Sequence, residues 1–375
     1  MDFVSDKANF RRNTGGISRK FNDVWRKIHQ KMDVERGCPQ GLGKEIRLPV
    51  LVLGISGVPG FALFRYFKKL FPGNVYGVRA VKTLSVQGDG VLPIDAEDTE
   101  RLTKIFEKYH FGTVIDAGGN CALKACELNT ERSRLLNCLQ GLDAARLAKR
   151  FGSDLIRLST DMVYESDLES AYLESDEKKP IHNFGKHMAE AEDRIPEIFP
   201  EVVILRVPLP MDYAPGGDAG AIDWISHRFR PGRPATLFWD EFRNPVHGND
   251  LCRVVDFILR FPIPAGVYNC GGPRLISLYQ IAQLVNAVGC YAPDLLHGCD
   301  RVEAGPMPPR VGKLEMDSSK LTSLLPPGMI RPWVLDDRLF PTSRDWHRTV
   351  DRNLWGNKDE IYRLLIEGRY LEELS

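Results

Sequence analysis

Three evenly spaced glycines, Gly54, Gly57 and Gly60, follow the apolar run 48–53 and carry the clearest chemical signal in this chain. Glycine lets a backbone turn sharply and approach an anion, and the free N–H groups of a starting helix attract negative charge. A buried strand, a tight turn and a helix over 61–70 together make a seat for a dinucleotide pyrophosphate. A ligand-free strand-to-helix turn would use the same glycines, so the pattern needs support from the rest of the chain.

The elements around the turn supply it. Val75–Val78 reads as a second strand ending at Arg79, and Thr113–Ala117 as another, after the helical stretch Thr99–Lys108. Leu135–Phe151 reads as helix, Asp154–Ser159 as strand, Gly185–Arg194 as helix and Glu201–Val207 as strand. Strand and helix alternating at this interval imply an α/β fold of Rossmann type, a doubly wound and mainly parallel sheet covered on both faces. Ligands of such sheets bind beyond the C-terminal strand ends, near the switch point.

Composition narrows the function. Lys and Arg number 50, as do Asp and Glu, so the net charge is zero and no electrostatic case for nucleic acid arises. No apolar run approaches the roughly 20 residues that span a bilayer, which argues against a membrane partner. The N-terminus lacks an apolar signal core, and the eight cysteines include no Cys-x-x-Cys pair. Both features fit a reduced, cytoplasmic protein. No His, Cys and Asp cluster has metal spacing, so no metal is expected.

Four regions follow from the pattern. Residues 1–46 form a basic extension in which Phe21, Val24, Trp25, Ile28 and Met32 recur at helical spacing. That helix packs on the body or serves as a docking arm; Asp2, Asp6 and Asp23 argue against a mitochondrial presequence. Residues 47–207 make the nucleotide-binding core. Residues 208–330, richer in proline and glycine, suit a smaller lobe with some strands returning to the core sheet. Residues 331–375 carry Trp333, Trp346 and Trp355 and end in an amphipathic helix, Lys358–Leu374, for packing on the body or a partner chain.

Six blocks in order resemble the extended short-chain dehydrogenase/reductase superfamily, of the dTDP-4-dehydrorhamnose reductase type. They are the glycine turn, Val114–Gly119, Leu158–Tyr164, Pro180–Glu192, Asn244–Leu251, and the stretch Pro309–Leu321. The resemblance runs from about residue 48 to 325. It implies NADP(H) or NAD(H) at Gly54, Gly57, Val58, Gly60, Ala117 and Gly118. It also implies a nucleotide sugar in the substrate lobe, with Asp161 and Arg310 among its contacts. Arg79 meets the 2′-phosphate of NADP or is a plain surface residue, and Arg310 meets a substrate phosphate or belongs to a surface loop. Asp250 is expected to cap the helix Leu251–Arg260.

The departures from the family decide the activity. Its proton donor is a Tyr followed four residues on by a Lys that lowers the Tyr pKa. Here those positions hold Phe184 and Met188, which have no hydroxyl and no charge. Only Ser159 and Thr160 remain of the hydrogen-bonding set, as residual catalytic groups or as ordinary polar residues at a strand end. Pro59 removes one N–H from the pyrophosphate turn, although proline suits the first position of a helix. Asp116 adds negative charge where the family has a neutral residue. A relocated acid would have to be Tyr164, Tyr172, Lys186 or His187; His187 sits about 100° around the helix from the Lys position. The sequence therefore supports a degenerate reductase-like protein that binds a nucleotide or nucleotide sugar as a regulatory or scaffold subunit, with a protein partner or a second copy. The alternative is a working NADPH-dependent reductase of a 4-keto nucleotide sugar.

Overall fold

Apolar strands that alternate their side chains between two faces need cover on both, and the chain supplies it. The computed structural model describes residues 43–166, 168–217, 219–335, 337–351 and 365–366. Contacts gather Lys44–Arg369 into one unit.

The main sheet contains β1 (Val50–Leu53), β2 (Val75–Arg79), β3 (Val91–Pro93), β4 (Thr113–Asp116), β5 (Asp154–Ser159), β6 (Val203–Arg206) and β11 (Gly266–Asn269). Its order is β11-β6-β5-β4-β1-β2-β3 and every pairing is parallel. The order reverses between β1 and β4, which is where an open α/β sheet leaves a crevice. Val50 and Val52 pack into one core layer with the helices Val58–Leu70 and Gly248–Arg260. Leu51 and Leu53 pack into the opposite layer with Thr99–Tyr109, Gln140–Phe151 and Asn183–Ile198. This period of two, buried on both sides, explains why β1 is apolar throughout.

Past residue 208 the chain builds a second core, where Ile222, Ile225 and Phe229 of the helix Ala221–Phe229 meet Ile281, Leu284 and Val285 of Leu278–Val288. The small parallel pair β8 (Ala235–Phe238) and β13 (Leu296–Cys299) borders it. Strand β11 leaves this region to join the main sheet beside β6.

Several expectations need correction. Asp250 does not cap its helix. The helix begins at Gly248, so Asp250 lies in the first turn, where its carboxylate accepts from the Arg331 backbone N–H and guanidinium. Pro59 is the second residue of the helix Val58–Leu70 rather than ahead of it. The stretch Leu135–Phe151 opens with five π-helical residues, Leu135–Leu139, that follow the short helix Thr130–Arg134. The N-terminal helix through Trp25, Trp355 and all of the tail helix except Leu365 and Ile366 lie outside the described residues.

Candidate functional site

The glycine turn closes against the neighbouring strand. Gly54 has φ +77°, and a Cβ there would sit 2.4 Å from the Ala117 carbonyl oxygen, so only glycine fits between β1 and β4. A Cβ on Gly60 would meet the Gly54 oxygen at 2.2 Å. Gly57 is the helix N-cap and its N–H donates to the Gly54 carbonyl at 3.0 Å. No side chain caps this terminus, which leaves Val58 and Gly60 to present first-turn N–H groups where Pro59 has none.

At the end of β2, Arg79 is mostly buried and turned into its own loop. Its Nε donates to the Val86 carbonyl at 2.7 Å, and Nη1 to those of Ala80 and Val81 at 2.9 and 3.0 Å. Nη2 is the arm without a partner among the described residues, so Arg79 is a positioned group and not a loose surface side chain. Just past the end of β4 the Ala117 N–H donates to Leu53 O and the Gly118 N–H to Asp116 Oδ1.

Asp116 does not leave a net negative charge in the crevice. Parallel register puts it directly across from Arg157 on β5, and Arg157 Nη1 lies 2.6 Å from Asp116 Oδ2 with both side chains almost wholly buried. The other arm of the guanidinium, Nη2, donates to the Met188 thioether sulfur at 3.6 Å and the Asn137 carbonyl at 3.4 Å. A cation therefore does lie beside position 188, but it comes from the sheet and is neutralised by Asp116. Asn137, inside the π-helical turn, also orders the loop after β4 by accepting from the Asn120 N–H at 2.7 Å.

Phe184 and Met188 are 6% and 4% exposed and belong to an apolar cluster with Val163, Tyr164, Tyr172, Val311 and Leu314. The polar residues nearby are engaged elsewhere. Ser159 donates to Glu192 Oε1 at 2.6 Å, and Glu192 is held by Arg206. The Thr160 hydroxyl donates to Asp161 Oδ1 at 3.1 Å and accepts from the Met162 N–H. Asp161 is fully buried, with both carboxylate oxygens taken by the Arg243 fork. Burial drives its carboxyl upward against the pull of Arg243. Its carboxylate is thus a structural tie between β5 and the lobe, not an open contact for substrate.

The candidate relocated acids fare similarly. Tyr164 stacks on Tyr172 at 4.4 Å, donates to the Leu173 carbonyl and accepts from Arg206; burial pushes its pKa up to about 12. His187 Nδ1 meets Ser133 Oγ at 2.9 Å, and burial lowers its pKa. Lys186 is exposed.

Arg310 lies in the lobe with its guanidinium 4.4 Å from the Phe238 ring centroid and Nη1 3.8 Å from Glu241 Oε2. The sequence reading missed Asn137, Arg157, Arg243 and Glu241. A charge inside each of two apolar strands, Thr113–Asp116 and Asp154–Ser159, was the available signal for the Asp116–Arg157 pair. No comparable pattern marks Arg243 or Glu241.

The RmlD substrate binding domain family matches residues 48–332. A probable low-salt glycan biosynthesis reductase of Haloferax volcanii is 27% identical over 197 residues, covering 48% of this chain and 65% of that protein. A dTDP-4-dehydrorhamnose reductase of Aggregatibacter actinomycetemcomitans is 21% identical over 197 residues, 50% of this chain and 65% of that protein. The chain thus spans just under two thirds of the length of both relatives. The structure of a Bacillus anthracis dTDP-4-dehydrorhamnose reductase in complex with NADP superposes with a TM-score of 0.62 at 14% identity, covering 77% of this chain and 96% of that one. At that identity the likeness concerns the fold. The seven-stranded parallel sheet and the family match from residue 48 to 332 agree, and the chain belongs to the RmlD substrate binding domain family of extended short-chain dehydrogenase/reductase folds.

Proposed function

We propose that this chain is a degenerate member of its family that binds a nucleotide or nucleotide sugar and acts as a regulatory or scaffold subunit. One observation carries the reading. Phe184 and Met188 fill the proton-transfer positions and are packed in an apolar cluster, with the Met188 sulfur against a guanidinium already paired to Asp116. A phenyl ring and a thioether cannot exchange a proton with a carbonyl. Such assistance is worth about 100- to 10,000-fold. The commitments of Tyr164 and His187 weigh against a relocated acid.

Dinucleotide binding is compatible with this reading. The uncapped helix start at Val58 and Gly60 and the free arm of Arg79 fit a pyrophosphate and a 2′-phosphate, so NADP(H) is favoured over NAD(H). When bound, such a cofactor supplies hydride; this chain's part would be to hold it beside an apolar wall at Phe184. Among the described residues no helix is long and apolar enough to cross a membrane.

The test is calorimetric titration with NADPH, NADP and NADH, followed by a search for NADPH oxidation with dTDP-4-keto-6-deoxyhexoses. Binding of NADPH or of a nucleotide sugar without turnover is the expected outcome. Turnover at rates typical of reductases would overturn the degenerate reading and restore the catalytic one.

A further inference from the structure

A carboxylate removed from water is stable only when donors surround it. Glu241, in the turn between β8 and the short strand Phe242–Arg243, breaks this rule. Its side chain is 5% exposed, yet neither oxygen accepts a hydrogen bond from any described residue. Oε2 is sealed from solvent without a partner, so the remaining accessible surface is on other atoms of the side chain. The nearest cation, Arg310 Nη1, stops at 3.8 Å, beyond hydrogen-bond distance.

The surroundings say what would fill the gap. Glu241 lies among the charges of Arg243 and Arg310, which both act on it. On one side Arg243, two residues on, is locked to Asp161 beside Thr160 at the end of β5. On the other side Arg310 rests on Phe238 with about a third of its side chain open to solvent. The charges of Arg243, Arg310 and Arg301 all act on Glu241, but burial outweighs them and raises its carboxyl above the usual carboxylate range. Three arginines nearby make an ammonium ligand a poor fit, and a phosphate would be repelled by the carboxylate itself. A neutral hydroxyl donor suits both.

We propose that Glu241 is a specificity-determining residue that accepts a sugar hydroxyl from a nucleoside-diphosphate hexose whose diphosphate lies on the outer edge of Arg310. The inference rests on the nucleotide-sugar reading of the site. It adds that the sugar, and not only the nucleotide, contributes affinity, and that the ligand supplies the carboxylate with a donor at Oε1, because Oε2 is sealed from solvent. Glu241 is then a group whose charge burdens the free protein and helps only in the complex.

Calorimetry on the full chain tests this with dTDP-glucose, dTDP-rhamnose and UDP-glucose, each against dTDP or UDP alone. At least one hexose should bind more tightly than its bare nucleotide. Glu241→Gln should weaken that hexose about tenfold and Glu241→Ala at least as much, with the bare nucleotide changed less than twofold. Thermal melting supplies a readout that a structural role would move the other way. The free Glu241→Gln protein should melt no lower than wild type, whereas its ligand-induced rise in Tm should shrink. Bare nucleotide and hexose binding equally in wild type, or a Glu241→Gln affinity equal to wild type, overturns the role of Glu241 and leaves nucleotide binding standing. Binding of none of the five ligands overturns both.

Discussion

On the proposed reading, replacing Met188 with lysine would rebuild half of the family's proton-transfer pair, and the structure predicts that the chain will resist it. The Met188 sulfur lies 3.6 Å from Arg157 Nη2, and Arg157 is buried and already paired with Asp116. The pair is neutral, so Met188→Lys adds an uncompensated positive charge. An ammonium about 5 Å from the guanidinium, at an effective dielectric of about 20, is repelled by roughly 3 kcal/mol. Asp116 holds the Nη1 arm while position 188 faces Nη2, so the carboxylate returns only part of that energy. Urea unfolding at pH 7 should show Met188→Lys to be at least about 2 kcal/mol less stable than wild type, since the repulsion adds to the cost of burying an ammonium in the apolar cluster. In an Asp116→Asn, Arg157→Met background the repulsion is gone and only the burial cost remains, so the penalty should shrink without vanishing, a coupling that a double-mutant cycle reads directly. By the same reasoning, Phe184→Tyr with Met188→Lys gains no reductase activity until the buried pair is also removed. Equal stability of Met188→Lys and its parent in both backgrounds would refute the electrostatic account.

Three further outcomes follow from the geometry. Gly54→Ala should cost at least about 3 kcal/mol in urea unfolding, because φ is positive and the added carbon meets the Ala117 oxygen at 2.4 Å. Gly57→Ala, whose new carbon meets nothing closer than 3.6 Å, should stay within about 1 kcal/mol of wild type and yet weaken dinucleotide binding. His182 is fully buried, accepts from the Gly185 N–H through Nδ1, and burial lowers its pKa to about 4 from 6.5. The unfolded chain therefore takes up the proton first, and stability is lost as pH falls from about 6.5 toward 4. Between pH 7 and pH 5 this amounts to about 2 kcal/mol. His182→Asn keeps a capping side chain and should lessen the loss over that range, leaving the share due to His247, whose pKa burial also lowers to about 4; an unchanged pH profile would rule His182 out as a source.

Alternation of apolar runs and helical segments sufficed for the parallel sheet, because β1, β4, β5 and β6 are buried on both faces and so read as mainly apolar runs, with each buried charge in them paired. The glycine turn was equally legible, since close approach of Gly54 to Ala117 leaves no room for another side chain. The reading that Phe184 and Met188 stand where the family resemblance expects Tyr and Lys drew only on the family pattern and the residue names. What the sequence could not convey is which polar groups meet. Asp116 reads as a stray negative charge until register sets it opposite Arg157. Asp161 reads as a ligand contact until Arg243, 82 positions away, closes on both its oxygens. Asp250 reads as a cap until Arg331 draws it into the helix's first turn. Local spacing determines elements because backbone hydrogen bonds and side-chain periodicity are short-range. Partners of buried charges are chosen by strand register and by how the lobe returns to the sheet, and Glu241 owes its want of a hydrogen-bond donor among the described residues to the same long-range packing.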